Sequence, residues 1–102
     1  MDEWQGEVAA FLGRHHLGHD PATHALDLVS EIGELAKELV LATDYGRQQA
    51  EPNPDLSGEL GDALYSLLAL ATACHVDAGE ALQAALEKYE RRLVERGDAR
   101  SR

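Results

Sequence analysis

Residues 54–74, PDLSGELGDALYSLLALATAC, decide the fold. Gly46 and then Pro52, Asn53 and Pro54 mark a polar loop from which this stretch departs. From Ala63 to Ala73 it carries no charge, and Ser66 and Thr72 are its polar residues. That is the pattern of a helix buried nearly all round, which needs partners on every side. Its neighbours supply the matching faces. Upstream, residues 21–43 place Leu28, Ile32, Leu35 and Leu39 at helical spacing. Residues 2–16 form a shorter amphipathic segment with Trp4, Val8, Phe11 and Leu12 on one stripe. Gly13, Gly18 and the Asp20-Pro21 step separate the two, and Pro21 suits a helix's first turn. Downstream, a break over His75–Asp77 leads into a fourth helix, 77–97, ending at Gly97. No strand pattern competes.

The expectation is an all-α, four-helix bundle-like domain over residues 1–97 and a disordered tail over 98–102. Three amphipathic partners of this length cannot cover an all-apolar helix in one copy, so homodimerisation is expected to complete the core. A chain of 102 residues buries only roughly 65% of its unfolded surface, which favours the same outcome.

Charge and cysteine usage narrow the function classes. Nineteen acids against nine Lys and Arg give a net charge of −10, a surface that repels a nucleic-acid backbone. Six of the nine cations, Lys88, Arg91, Arg92, Arg96, Arg100 and Arg102, gather at the end of the chain, where cations suit a helix C-terminus. The single cysteine, Cys74, excludes an internal disulfide and lies in an apolar stretch, so a core position and a reducing compartment are expected. No apolar run approaches the ~20 residues of a membrane span, and no signal-peptide pattern opens the chain. The expected location is cytoplasmic, with neither nucleic acid nor membrane as partner.

The chemistry lies in two tetrapeptides of one form: Glu31-Ile32-Gly33-Glu34 and Glu59-Leu60-Gly61-Asp62. Carboxylates at i and i+3 project from one helix face. Two helices side by side bring four acids together, the oxygen set that Mg²⁺ takes with water and substrate phosphates. Clustered carboxylates repel one another and resist ionisation, and a cation is the natural compensation. Each motif also holds a glycine inside a helix, at a cost of roughly 0.8–1 kcal/mol relative to alanine. Close approach of a ligand or of a backbone explains such a residue, and tight helix packing explains it equally well. Against the site stands the solvated reading, since Asp27, Glu31, Glu34 and Glu38 form a stripe away from the apolar face of their helix.

Other constellations are weaker. His15, His16, His19 and His24 lack cysteine partners, and Gly18 and Pro21 interrupt their helical spacing, so zinc is not expected. Neither acidic pair ends in the histidine of a di-iron Glu-x-x-His motif. There is no phosphate-binding glycine loop.

The stretch Leu28-Val29-Ser30-Glu31-Ile32-Gly33-Glu34-Leu35, followed 25 residues after Glu34 by Glu59-Leu60-Gly61-Asp62, resembles the paired acidic motifs of MazG-like, all-α nucleoside triphosphate pyrophosphohydrolases. His19-Asp20-Pro21 and the Val76-Asp77 helix start extend the similarity over about residues 4–92. The resemblance implies a MazG-type fold, a homodimer or dimer of dimers, and Mg²⁺-dependent (with Mn²⁺ as substitute) conversion of an NTP or dNTP to monophosphate and pyrophosphate, a nucleotide-pool house-cleaning activity. By position it implies Glu31, Glu34, Glu59 and Asp62 as metal ligands. Glu31, Glu34 or Glu38 would be the catalytic carboxylates, and His19, Lys37, Lys88, Arg91 and Arg92 would contact substrate. One departure bears on the chemistry: Ser30 occupies the place of an extra glutamate found in many members, which leaves the general base unassigned. The rivals are a non-catalytic nucleotide- or metal-binding relative and a helical dimerisation module.

Overall fold

The computed structural model describes residues 3–51 and 53–97; the tail expected over 98–102 lies outside the described residues. Four helices follow one another: α1 (Glu3–Arg14), α2 (Pro21–Ala42), α3 (Pro54–Ala73) and α4 (Ala78–Arg96). No strand occurs among the described residues.

The helix boundaries are set by local hydrogen bonding. Asp20 accepts from the Thr23 N–H at 2.8 Å, Asn53 from the Leu56 N–H at 2.8 Å, and Asp77 from the Glu80 N–H at 3.0 Å. Each satisfies an orphan donor of a first helical turn. Pro21 and Pro54 begin α2 and α3, where a missing N–H costs nothing. Gly97 closes α4 in the left-handed region at φ 78°, its N–H donating to the Leu93 carbonyl. His75 takes the same conformation after α3, at φ 57°.

Packing is uneven. α2 makes the most extensive contact with α3 and α1 a smaller one, whereas α4 has no comparable contact with either. Within one chain α3 is therefore not buried nearly all round. Ala63, Ser66, Leu68 and Ala69 are enclosed, but Leu60, Leu64 and Leu67 face outward on a second side. Leu82, Leu86, Tyr89 and Leu93 make an equally uncovered stripe along α4, and Leu26, Val29 and Val40 another along α2. Cys74, expected in the core, is exposed because it caps α3 where the chain leaves the body. No helix is long and apolar enough to cross a membrane.

Global dimensions agree with this open arrangement. The radius of gyration is 16.2 Å, against about 13 Å for a compact chain of this length. The accessible surface is 7416 Å², against about 5,700 Å² for a folded monomer of this mass.

α1 is rotated relative to the expected stripe. Trp4 is 61% exposed, whereas Gln5 is 1% exposed and Leu12 is buried with it. The cause is a clasp between α1 and the α3–α4 corner. Gln5 Nε2 donates to the Val76 carbonyl at 2.7 Å and to Thr72 Oγ1 at 3.4 Å, and Gln5 Oε1 accepts from the Ala78 N–H at 2.7 Å. A buried amide so bonded fixes where α4 begins. Replacing Gln5 with Leu strands the Val76 carbonyl and the Ala78 N–H, and is expected to cost about 2 kcal/mol in denaturant unfolding. A loss under about 0.5 kcal/mol would show the clasp to be energetically idle.

Candidate metal centre

The acidic motifs lie on the two helices that pack most closely, α2 and α3. Glu31, Glu59 and Asp62 each present a carboxylate oxygen, and the three oxygens lie within 4.8 Å of one another. It is the one such group among the described residues, and no histidine cluster qualifies. Glu31 and Glu59 are half-buried between the helices and Asp62 stands at their edge. Glu34 is exposed and outside the close group.

Electrostatics bind the wider set together. The Glu59 carboxyl is pushed above its ordinary value of 4.5, first by partial desolvation and then by the negative charges of Asp62, Glu34, Glu31 and Glu38. All five acids therefore share one field, including Glu38 a turn beyond Glu34. Three carboxylate oxygens at this separation, with no cation paired to them among the described residues, form a hard donor set of the kind Mg²⁺ or Mn²⁺ takes.

The shift in Glu59 has a measurable consequence. A raised folded-state pKa means that the folded chain holds the proton more tightly. The resulting stabilisation is full below 4.5 and is lost as pH rises through the folded value. At neutral pH, ionised Glu59 thus works against the metal-free fold. Glu59→Gln is expected to melt above the wild type at about pH 7 without metal, the gap closing as both are acidified. A Gln variant that melts below the wild type at neutral pH would contradict this.

The motif glycines are not explained by helix packing. A Cβ built at Gly33 or Gly61 meets nothing within 4 Å. Their mid-helix cost therefore leaves an open surface beside the acids, and no neighbour in this chain requires it.

The remaining expected residues fall into two sets. Lys37 is exposed on α2 beside Glu38. His19 lines a cavity of 410 Å³ with His16, His24, Leu12, Ala69 and Thr72. Ala69 lies seven positions beyond Asp62 on the same face of α3, about 10 Å along the helix. Lys88, Arg91 and Arg92 are on α4, which lacks the packing that would carry them to the acids of their own chain. Lys88 and Arg92 instead flank the Tyr89 ring at 5.2 and 5.9 Å, and Arg92 Nη1 is enclosed without a hydrogen-bond partner.

Of two polar residues of consequence, Gln5 was not singled out by sequence reasoning, and His24 was weighed only as a zinc ligand. Each carries a signal in its spacing. Gln5 lies seven positions before buried Leu12, and His24 lies four before Leu28 and seven before Glu31 on the face of α2 turned to α3.

Comparison with known proteins adds an independent line. Residues 19–96 match the family model of the MazG nucleotide pyrophosphohydrolase domain. The chain is 36% identical over 93 residues to dCTP pyrophosphatase 1 of Rattus norvegicus, covering 79% of this chain and 52% of that protein. It is 34% identical over 93 residues to dCTP pyrophosphatase 1 of Mus musculus, so the chain spans about half the length of these two relatives. The Bacillus subtilis protein YpjD is 29% identical over 100 residues, covering 94% of this chain and 88% of that one. Its crystal structure superposes with a TM-score of 0.71 over 87% of this chain and 91% of that chain.

Proposed function

The chain belongs to the MazG nucleotide pyrophosphohydrolase family, and from that premise we propose that it hydrolyses a nucleoside or deoxynucleoside triphosphate to the monophosphate and pyrophosphate. The observation that carries this reading is the convergence of Glu31, Glu59 and Asp62 across the α2–α3 contact.

Glu31, Glu59 and Asp62 would hold Mg²⁺ or Mn²⁺, with Glu34 beside them either joining that set or staying outside it as a base; the metal would supply positive charge to the phosphate oxygens and acidity to a nearby water. A water oxygen would bond to the α-phosphorus as the bond to the α–β bridging oxygen breaks, its electron pair leaving on pyrophosphate. The water's proton needs a carboxylate outside the ligand set. Glu38 fits, being close enough to raise the pKa of Glu59 and one turn from Glu34. Glu34 is the other acid in position. With Ser30 at the site of the usual extra glutamate, one of these two carries the role. Lys37, exposed on α2, would contact a substrate phosphate, and the nucleoside end would extend along α3 toward His19.

The site is complete only in an assembly. The single chain exposes about 1,700 Å² more surface than a compact monomer of its mass. Two copies covering that excess would bury the area of an obligate homodimer. We assign the α3 and α4 leucine faces to a second copy of this chain, and the separate α2 face to the contact that makes a dimer of dimers. Lys88, Arg91 and Arg92 then serve phosphates held by another copy's acids. A house-cleaning enzyme of the nucleotide pool works in the cytoplasm, where a chain with one thiol and no disulfide is at home.

If the acids bind metal, Mg²⁺ should stabilise the folded chain by mass action, by about 2.7 kcal/mol at a hundredfold excess over Kd, and so raise the melting temperature. Asp62→Asn should blunt the response. A wild-type melting temperature indifferent to Mg²⁺ and Mn²⁺ would remove the site. The function itself is tested on a panel of triphosphates with products identified. Pyrophosphate release that a chelator abolishes is expected. Nucleotide binding without turnover would favour a silent binder.

A further inference from the structure

His24 occupies the first turn of α2, is 5% exposed, and sits where an aliphatic residue would pack against α3 without polar cost. Its Nε2 accepts the backbone N–H of His19 at 3.0 Å, so that nitrogen carries no proton. The two rings lie 5.5 Å apart, tilted by 48°. The turn before α2 is otherwise anchored at its start, where the Leu17 N–H donates to the Leu12 carbonyl at 2.9 Å and His16 takes φ 55°. Beyond Gly18 the bond from His19 to His24 ties the turn to the helix. Asp20 then caps α2 and its carbonyl receives the His24 N–H at 3.3 Å. From α1 and α3 the cavity receives Leu12 and Ala69, whose side chains offer no acceptor, and Thr72, whose hydroxyl is engaged elsewhere, donating to the Leu68 carbonyl at 2.8 Å and accepting from Gln5 Nε2 at 3.4 Å.

We infer that His24 is a positioning residue for substrate binding: its bare Nε2 holds the His19 turn against the mouth of the 410 Å³ cavity. The inference rests on the function proposed above. A nucleotide with its phosphates at Glu31, Glu59 and Asp62 would reach the level of Ala69, which lines the cavity. His24 does not meet the substrate's reacting atoms; it fixes the wall that the nucleoside end would meet. A position-fixing bond of this kind acts on binding more than on the chemical step.

The test compares His24→Leu, which removes the acceptor, with His24→Gln, whose Oε1 falls near the place of Nε2. For the best triphosphate of a panel, His24→Leu should raise KM about tenfold with kcat within about twofold of wild type, and His24→Gln should restore KM. An unchanged KM in His24→Leu, or equal losses in both variants, overturns the assignment. Nitrogen NMR of the wild-type imidazole decides the point without turnover. The neutral Nδ1–H form with bare Nε2, and a His19 amide slow to exchange, support it. A proton on Nε2, or a His19 amide exchanging as fast as an open loop, overturns it. Failure of the function reading registers separately, as no hydrolysis by the wild type.

Discussion

Glu59→Gln is expected to lower Mg²⁺-dependent pyrophosphate release by about a hundredfold or more while leaving the helical fold intact. Substitutions that only disturb the orientation of a metal ligand typically cost 10- to 100-fold, so loss of a ligand should cost at least the upper figure. Glutamine keeps the shape of the side chain, but its neutral amide oxygen binds a hard cation far less well than a carboxylate. Partial desolvation and then the negative charges of Asp62, Glu34, Glu31 and Glu38 also act against ionised Glu59. The same substitution should therefore stabilise the metal-free chain and disable the enzyme, a pairing that a general folding defect would not produce. Glu34→Gln, altering an acid outside the close group, should lower turnover by a smaller factor. Steady-state pyrophosphate assays beside circular dichroism check both variants. Turnover by Glu59→Gln within about twofold of wild type would contradict the ligand assignment.

The second large effect concerns assembly. Leu67 is 47% exposed in one chain and lies beside Leu70, Cys74, Val76 and Leu82, an apolar hollow between α3 and the start of α4. If a second copy covers this hollow, Leu67→Glu forces a carboxylate into it. The cost of several kcal/mol for an unpaired buried charge corresponds to a rise in the dimer dissociation constant of about two to three orders of magnitude. Because Leu67 points away from the enclosed face of α3, the variant should remain helical. Sedimentation should show a concentration-dependent dimer or tetramer for the wild type and a monomer for Leu67→Glu at micromolar protein. A wild type that is monomeric there would contradict the assembly.

Much of the fold was legible because its boundaries are local. Asp20-Pro21, Asn53-Pro54, Asp77 and Gly97 act through hydrogen bonds within four residues, and the helices begin and end within two residues of the expected positions. What sequence spacing missed depends on contacts that spacing does not encode. The all-apolar run Ala63–Ala73 does make a helix, but one side of it stays uncovered within a single chain. Apolarity predicts burial without saying by whom. Gln5 turned inward because the α3–α4 corner, more than sixty residues away in sequence, offers a carbonyl and an N–H to its amide. Cys74 is exposed because it closes a helix at the rim of the body.

The acidic site shows the same division. Both motifs placed acids at i and i+3, and the pairing of α2 with α3 brings Glu31, Glu59 and Asp62 together. Which acid of each pair turns toward the other helix depends on the rotation of α2 about its axis. That rotation buries His24, half-buries Leu28 and Leu35, and leaves Glu34 toward solvent. The glycines were ambiguous between close approach of a ligand or backbone and tight helix packing, and the empty space around a Cβ at Gly33 and Gly61 speaks against packing within one chain.

The most direct test follows the attacking oxygen. With Mg²⁺ and a triphosphate that the chain hydrolyses, a single turnover in heavy-oxygen water should place the label in the nucleoside monophosphate and leave pyrophosphate unlabelled. That is the signature of water attack at the α-phosphorus. Label in the pyrophosphate, release of orthophosphate, or no hydrolysis of any triphosphate with Mg²⁺ or Mn²⁺ would contradict the assignment of Glu31, Glu59 and Asp62 to a pyrophosphohydrolase centre.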